Sequence, residues 1–100
     1  MIRAAVIGLS NAGREHARAY RVDPLAELVG VCDTDTARAE EIGRELNVPP
    51  FTDWRDLIKE RTPDLCTVRV GLFERPQVIR AALDAGIHVL ASPPFAPTMD

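Results

Sequence analysis

Apolar residues along this chain form short runs that alternate with longer segments of helical spacing. The runs lie at residues 4–7, 25–32, 48–51, 64–70 and 87–91, and predict five strands. Four helices are predicted between them, over residues 14–22, 36–46, 54–59 and 77–85. The second and fourth runs are apolar on both faces, which is typical of parallel strands covered by helices on each side.

This alternation predicts an α/β fold, a three-layer doubly wound parallel sheet with strand order 3-2-1-4-5, since each crossover connection is right-handed. Pro49 and Pro50 leave few ladder hydrogen bonds to the third strand, which is therefore short and at a sheet edge. With 100 residues, of which 46% are hydrophobic, we expect one domain over residues 1–100 with a small core.

The turn after the first strand, residues 8–13, predicts an anion site. Gly8 and Gly13 let the backbone approach a ligand closely, and the first N–H groups of the following helix have no intrahelical acceptor. The turn departs from the dinucleotide pattern G-x-G-x-x-G because Ser10 replaces the middle glycine, although its hydroxyl can bond a phosphate oxygen. We predict that Gly8, Ser10, Asn11, Ala12 and Gly13 bind a pyrophosphate; the alternative is a purely structural β–α turn.

Asp33 supplies a second, independent mark of a dinucleotide site. It ends the second strand 20 residues after Gly13, where a carboxylate accepts hydrogen bonds from an adenosine ribose. The alternative, which is compatible with the ribose role, is that Asp33 caps the following helix, because residues 33–36 are all N-cap types. Asp33 would repel a 2′-phosphate, so we predict NAD rather than NADP; Arg38, one helical turn further on, is the residue that would favour NADP.

An arginine, two histidines and a tryptophan elsewhere in the chain could also take part in binding or catalysis. Arg69 either reaches solvent or binds an anion at the end of the fourth strand. His16 and His88 are interpreted as packing or surface residues, and Trp54 as a core residue, because no second aromatic lies nearby to form a base-stacking platform.

Charge and cysteine content exclude several classes of protein. The net charge is −3 and the basic residues are scattered, which argues against a nucleic-acid partner. No apolar run is long enough to span a membrane and no signal peptide is recognisable, so we expect a cytoplasmic protein with no membrane partner. Cys32 and Cys66 lie on strands flanking the first, roughly 9–10 Å apart, too far for a disulfide. We expect buried thiols and no metal site.

The turn with His16, the acid at Asp33 and the run Ala82-Leu83-Asp84-Ala85-Gly86-Ile87-His88-Val89-Leu90 resemble the N-terminal, Rossmann-like domain of the glucose–fructose oxidoreductase/inositol dehydrogenase/rhizopine-catabolism (Gfo/Idh/MocA) family. The resemblance implies a dinucleotide-binding domain of an NAD(P)-dependent oxidoreductase acting on a sugar, polyol or related hydroxy or keto substrate. It adds Val70 and Ser92 to the candidate cofactor-binding residues.

The chain departs from the family pattern at several positions. Val70-Gly71 replaces a Thr-Pro, Arg75 a histidine, and Ala91-Ser92 a Glu-Lys whose lysine polarises the reacting oxygen. The family's substrate-binding domain also lies beyond residue 100, as if the chain were cut. We therefore assign no catalytic residues and expect this chain alone to be inactive. The alternative function is a non-catalytic relative that serves as a ligand-sensing or interaction module.

The fifth strand gives a prediction about assembly. In a complete dinucleotide fold a sixth strand would pair with it, so here residues 87–91 should present an open edge. We expect self-association, giving a homo-oligomer through this edge or through the face that a second domain would cover.

Overall fold

The computed structural model describes residues 1–71 and 73–91, which form an alternating series of strands and helices. In chain order these are β1 (Ile2–Ile7), α1 (Asn11–Val22), β2 (Ala26–Cys32), α2 (Thr36–Leu46), β3 (Pro50–Phe51), α3 (Trp54–Arg61), β4 (Leu65–Val68), α4 (Arg75–Asp84) and β5 (His88–Ala91). All four strand pairings are parallel, and the strand order is 3-2-1-4-5. The predicted fold class and strand order are confirmed.

Two hydrophobic clusters, one on each face of the sheet, make the three layers. On one face Val6 of β1 packs with Ala17 of α1 and Ile42 of α2. On the other, Ile7 packs with Leu57 of α3 and Val78 of α4. Neighbouring residues of β1 therefore enter opposite cores, which is why that strand is apolar at every position from residue 4 to residue 7.

The register of β1 and β2 contains an irregularity that the apolar pattern did not predict. The pairing shifts between Ala4 and Ala5, which leaves Val29 of β2 without a partner residue on β1. The Val29 carbonyl instead accepts a hydrogen bond from Arg61 Nε of α3, at 2.9 Å. The extra residue acts as a β-bulge, and it lets Val29 join the core beneath α3 and α4.

Several element boundaries differ from the predicted ones. Helix α1 begins at Asn11, three residues earlier than predicted, so Asn11, Ala12 and Gly13 belong to its first turn. Strand β4 ends at Val68, because after a last backbone bond from Arg69 N to the Ile7 carbonyl, at 2.8 Å, the chain leaves the sheet. The predicted edge position of β3 is correct, although the strand has only two residues.

Cys32 and Cys66 lie on β2 and β4, with β1 between them, and both are free and buried. Burial raises the pKa of each thiol to about 12. The prediction of two separate buried thiols is confirmed.

At the end of the sheet opposite β3, strand β5 leaves apolar side chains accessible. Leu90 of β5 is 48% exposed, and Leu83 of the preceding helix is 58% exposed. Within residues 1–71 and 73–91, no helix is long and apolar enough to cross a membrane.

Candidate functional site

A cavity of about 270 Å³ opens at the carboxyl ends of the strands. It is lined by Ile7, Gly8, Leu9, Ser10, Cys32, Asp33, Thr34, Arg38, Thr52, Trp54, Arg69, Val70, Gly71 and Glu74. Five of the predicted site residues are among them: Gly8, Ser10, Asp33, Arg38 and Val70. Open parallel sheets bind ligands at this edge, beside the strand where the order reverses, and β1 is that strand here.

The two glycines of the turn are required by close backbone contacts. Gly8 has φ +100°, and a Cβ there would lie 2.3 Å from the carbonyl oxygen of Arg69. At Gly13 a Cβ would lie 1.8 Å from the carbonyl oxygen of Gly8. Glycine at both positions therefore lets the turn pass between the end of β4 and the start of α1.

The first turn of α1 offers unpaired N–H groups at this edge of the sheet. Its first backbone bond runs from Arg14 N to the Ser10 carbonyl, at 2.9 Å, so the N–H groups of Asn11, Ala12 and Gly13 have no acceptor within the helix. Ser10 is the N-cap, yet its hydroxyl makes no capping bond. Because this first turn also contains no acidic residue, the helix dipole there favours an anion.

Serine fits the position of the missing middle glycine. Ser10 has φ −70° and ψ −174°, an extended conformation that any residue adopts without strain. Its side chain is exposed and lines the cavity. Ser10 thus adds a hydroxyl to the site without distorting the turn.

The Asp33 carboxylate is fixed by two backbone hydrogen bonds. Oδ2 accepts from Leu9 N and Oδ1 from Asp35 N, each at 2.8 Å, and the side chain is only 10% exposed. The alternative that Asp33 caps α2 is wrong, because Asp35 is the N-cap and accepts from Arg38 N at 3.1 Å. Asp33 instead links the end of β2 to the turn after β1, which leaves a positioned negative charge in the cavity wall.

Arg38 lies beside this carboxylate in a loose ion pair. Its Nη1 is 3.5 Å from Asp33 Oδ2 and its Nη2 is 4.0 Å from Asp35 Oδ2, and the side chain is 41% exposed. Because the guanidinium is partly exposed and its nearest distance to a carboxylate oxygen is 3.5 Å, the pair contributes little to stability, about 1 kcal/mol or less. The guanidinium is therefore positioned at the site but can be displaced by a ligand.

The loop after β4 forms the far wall of the cavity through Arg69, Val70 and Gly71. Arg75, at the position where the family pattern has a histidine, is buried at 6% exposure and donates to the Val70 carbonyl at 3.3 Å. Arg75 therefore supports this loop from behind. Ser92, the last predicted site residue, lies outside the described residues.

The other nine lining residues were not among the predicted site residues, and they include Thr34, Thr52 and Trp54. The last two follow β3, which is hydrogen-bonded to β2 with Phe51 opposite Cys32, so they reach the same edge as Asp33. The short third strand was a signal for this position in the sequence, because it places the start of α3 at the same edge of the sheet as Asp33. The described residues contain no cluster of three or more histidine, cysteine or acidic side chains that could hold a metal.

Comparison with known proteins finds a matching oxidoreductase family and similar dehydrogenases. The model of an oxidoreductase family with an NAD-binding Rossmann fold matches residues 2–100. UDP-N-acetylglucosamine 3-dehydrogenase from Acidithiobacillus ferrooxidans is 32% identical over 94 residues, or 94% of this chain and 29% of that enzyme. Its solved structure, of which the chain covers 30%, matches with a TM-score of 0.82.

Two further solved structures carry bound cofactor. Scyllo-inositol dehydrogenase from Lactobacillus casei, with NAD(H) and scyllo-inositol, is 26% identical with a TM-score of 0.83, over 91% of this chain and 27% of that one. A 3-ketoreductase from Actinomadura kijaniata, with TDP-benzene and NADP, is 26% identical with a TM-score of 0.82, over 93% and 30%. The chain spans less than a third of the length of each of these relatives.

Proposed function

The chain belongs to the Gfo/Idh/MocA family of oxidoreductases and is an NAD-binding domain of that family, and from this we propose that it supplies the cofactor site of an enzyme acting on a sugar, a polyol or a related hydroxy or keto compound. The substrate class is suggested by the relatives, whose names give a nucleotide sugar, an inositol and a ketone. Since residues 1–100 correspond to less than a third of those proteins, we propose cofactor binding for this domain and catalysis only for a two-domain enzyme.

The observation that carries the proposal is the link between Asp33 and the turn. A single carboxylate holds Leu9 N at 2.8 Å, and Leu9 directly precedes Ser10, the N-cap of α1. The ribose-binding acid and the pyrophosphate-binding helix end are thereby fixed relative to each other before any ligand arrives. Such pre-organisation lowers the ordering cost of binding.

The residues present suit the pyrophosphate and the adenosine ribose of a dinucleotide. We assign the pyrophosphate to the N–H groups of Asn11, Ala12 and Gly13 together with the Ser10 hydroxyl. Asp33 Oδ1 accepts one backbone bond and keeps a lone pair for a ribose hydroxyl, whereas Oδ2 accepts from Leu9 N and also lies 3.5 Å from Arg38 Nη1. The nicotinamide ring, when bound, supplies a hydride donor or acceptor, and the protein's part is to position it.

The cavity volume is consistent with a site for one half of the cofactor. At about 270 Å³ it lies just below the roughly 300–1,000 Å³ of typical small-molecule pockets. The residues that line the cavity include Asp33 at the end of β2 and Thr52 and Trp54 after β3. We therefore assign this cavity to the adenosine half of the cofactor.

We propose that NAD is preferred over NADP. The Asp33 carboxylate is held in place by its two backbone bonds and would repel a 2′-phosphate. The guanidinium of Arg38 offsets part of this charge at 3.5 Å.

A cytoplasmic location stays a prediction.

Calorimetric titration of the isolated chain with NAD, and in parallel with NADP, tests the proposal. We expect saturable binding of NAD and weaker binding of NADP. A chain that is folded by circular dichroism but binds neither cofactor would overturn the proposal and favour the non-catalytic alternative, a ligand-sensing or interaction module.

A further inference from the structure

Trp54 occupies a position at the cofactor cavity that the dinucleotide pattern does not indicate. It is the first residue of α3 and follows β3 after a two-residue connection. Because Phe51 pairs with Cys32 across the sheet, Trp54 lies at the edge where Asp33 follows Cys32. Both Trp54 and Asp33 line the same cavity.

The Trp54 side chain is held by contacts with the core and with a neighbouring arginine. It is partly buried and packs against the core cluster that contains Leu57 and Val78. The Arg55 guanidinium carbon lies 4.5 Å from the ring centroid, a cation–π contact. Arg55 lines a second, more open cavity between α3 and α4, together with Trp54, Ile58 and Ala81, but it does not line the cavity of Asp33.

Trp54 is therefore a wall shared by two cavities. The arginine contact and the core contacts hold the ring, and Trp54 also lines the cavity of Asp33. A flat apolar surface with polar neighbours, here Thr34 and Thr52, suits a heteroaromatic base that carries ring nitrogens.

We propose that Trp54 contacts the adenine ring of the dinucleotide. The inference rests on the proposed cofactor function, because the acid at the end of the second strand binds the adenosine ribose and so places the adenine next to it. The Arg55 contact keeps the indole in position before the ligand binds. Specificity for an adenine nucleotide then comes partly from α3, an element outside the glycine turn.

The chain offers a direct optical test because Trp54 is its only tryptophan. ADP-ribose should change the intrinsic fluorescence saturably, excited at the red edge of the indole absorption, whereas nicotinamide mononucleotide at the same concentration should not. Trp54→Leu should weaken ADP-ribose binding, measured calorimetrically, by at least about fivefold, and Trp54→Phe should keep most of the affinity.

Phe51→Leu is the matched control. Phe51 is an aromatic residue packed against the same core cluster, but it does not line the cofactor cavity. We expect this variant to lose stability without losing affinity for ADP-ribose. Circular dichroism establishes that each variant is folded.

The outcomes separate this inference from the proposed function. If NAD binds calorimetrically but ADP-ribose leaves the Trp54 emission unchanged, or Trp54→Leu binds ADP-ribose as tightly as the parent chain, the inference is overturned and the cofactor function stands. If NAD does not bind at all, both are overturned.

Discussion

Replacing Gly13 by alanine tests the packing of the nucleotide turn most sharply. The added Cβ would lie 1.8 Å from the Gly8 carbonyl oxygen and 2.8 Å from its carbon. Both are backbone atoms, so no side-chain rotation relieves the contact. Helix α1 must move away from the turn after β1, which displaces the N–H groups that we assign to the pyrophosphate.

The expected loss of stability follows from two opposing contributions to the free energy of unfolding. Overpacking a well-packed site costs typically about 1–3 kcal/mol, and a backbone clash this short belongs at or above the top of that range. Alanine within a helix recovers about 1 kcal/mol relative to glycine. The expected net loss is about 2 kcal/mol, which for a domain of this size lowers the melting temperature by roughly 8–16 °C.

Urea denaturation followed by circular dichroism measures this loss, with Gly71→Ala as the control. Gly71 also lines the cavity, but among the described residues no atom beyond Gly71 and its two chain neighbours lies within 4 Å of the Cβ it would gain. The control should therefore change stability by less than about 0.5 kcal/mol. A Gly13→Ala chain as stable as Gly71→Ala would refute the close approach of α1 to the turn.

Three further predictions concern cofactor choice, thiol chemistry and assembly. Asp33→Ser should narrow the difference in affinity between NAD and NADP, and an unchanged ratio would remove Asp33 from the ribose site. Because burial raises the pKa of Cys32 and Cys66 to about 12, both thiols stay protonated near pH 8 and should react with a disulfide reagent only in denaturant; fast reaction of the native chain would contradict their burial. If strand β5 associates through its open edge, sedimentation should show concentration-dependent oligomers that Leu90→Lys disrupts, since Leu90 is half exposed; a monomer at every concentration would contradict the prediction.

The strand order and layers could be predicted because they depend on patterns repeated along the whole chain. Each buried strand is a continuous apolar run, and the handedness of the crossovers leaves few topologies for five such strands. Boundaries were less predictable. Helix α1 begins three residues earlier than predicted and includes Gly13. Glycine is unfavourable within an isolated helix, so the sequence pattern places Gly13 before the helix. In the fold, the Gly8 carbonyl oxygen leaves no room for a side chain at that position.

The details of the site depend on contacts between distant residues, which single-sequence patterns do not contain. Residues 33–36 are all suitable N-caps, and the choice of Asp35 is understandable only once Leu9, far away in sequence, engages the Asp33 carboxylate. Likewise Trp54 has the spacing of a core residue, and it does contact the core. Its position in the cavity wall follows from the pairing of β3 with β2, which a two-residue strand barely signals.

The most direct test of the central claim is a titration with NAD followed by amide proton–nitrogen correlation spectra, for which a chain of 100 residues is well suited. We predict that the largest shifts fall on the amides of Leu9, Ser10, Asn11, Ala12 and Gly13, with further shifts at Asp33 and Thr34. Shifts confined to other parts of the chain, or none at saturating NAD, would contradict the assignment of the α1 N-terminus and Asp33 as the cofactor site.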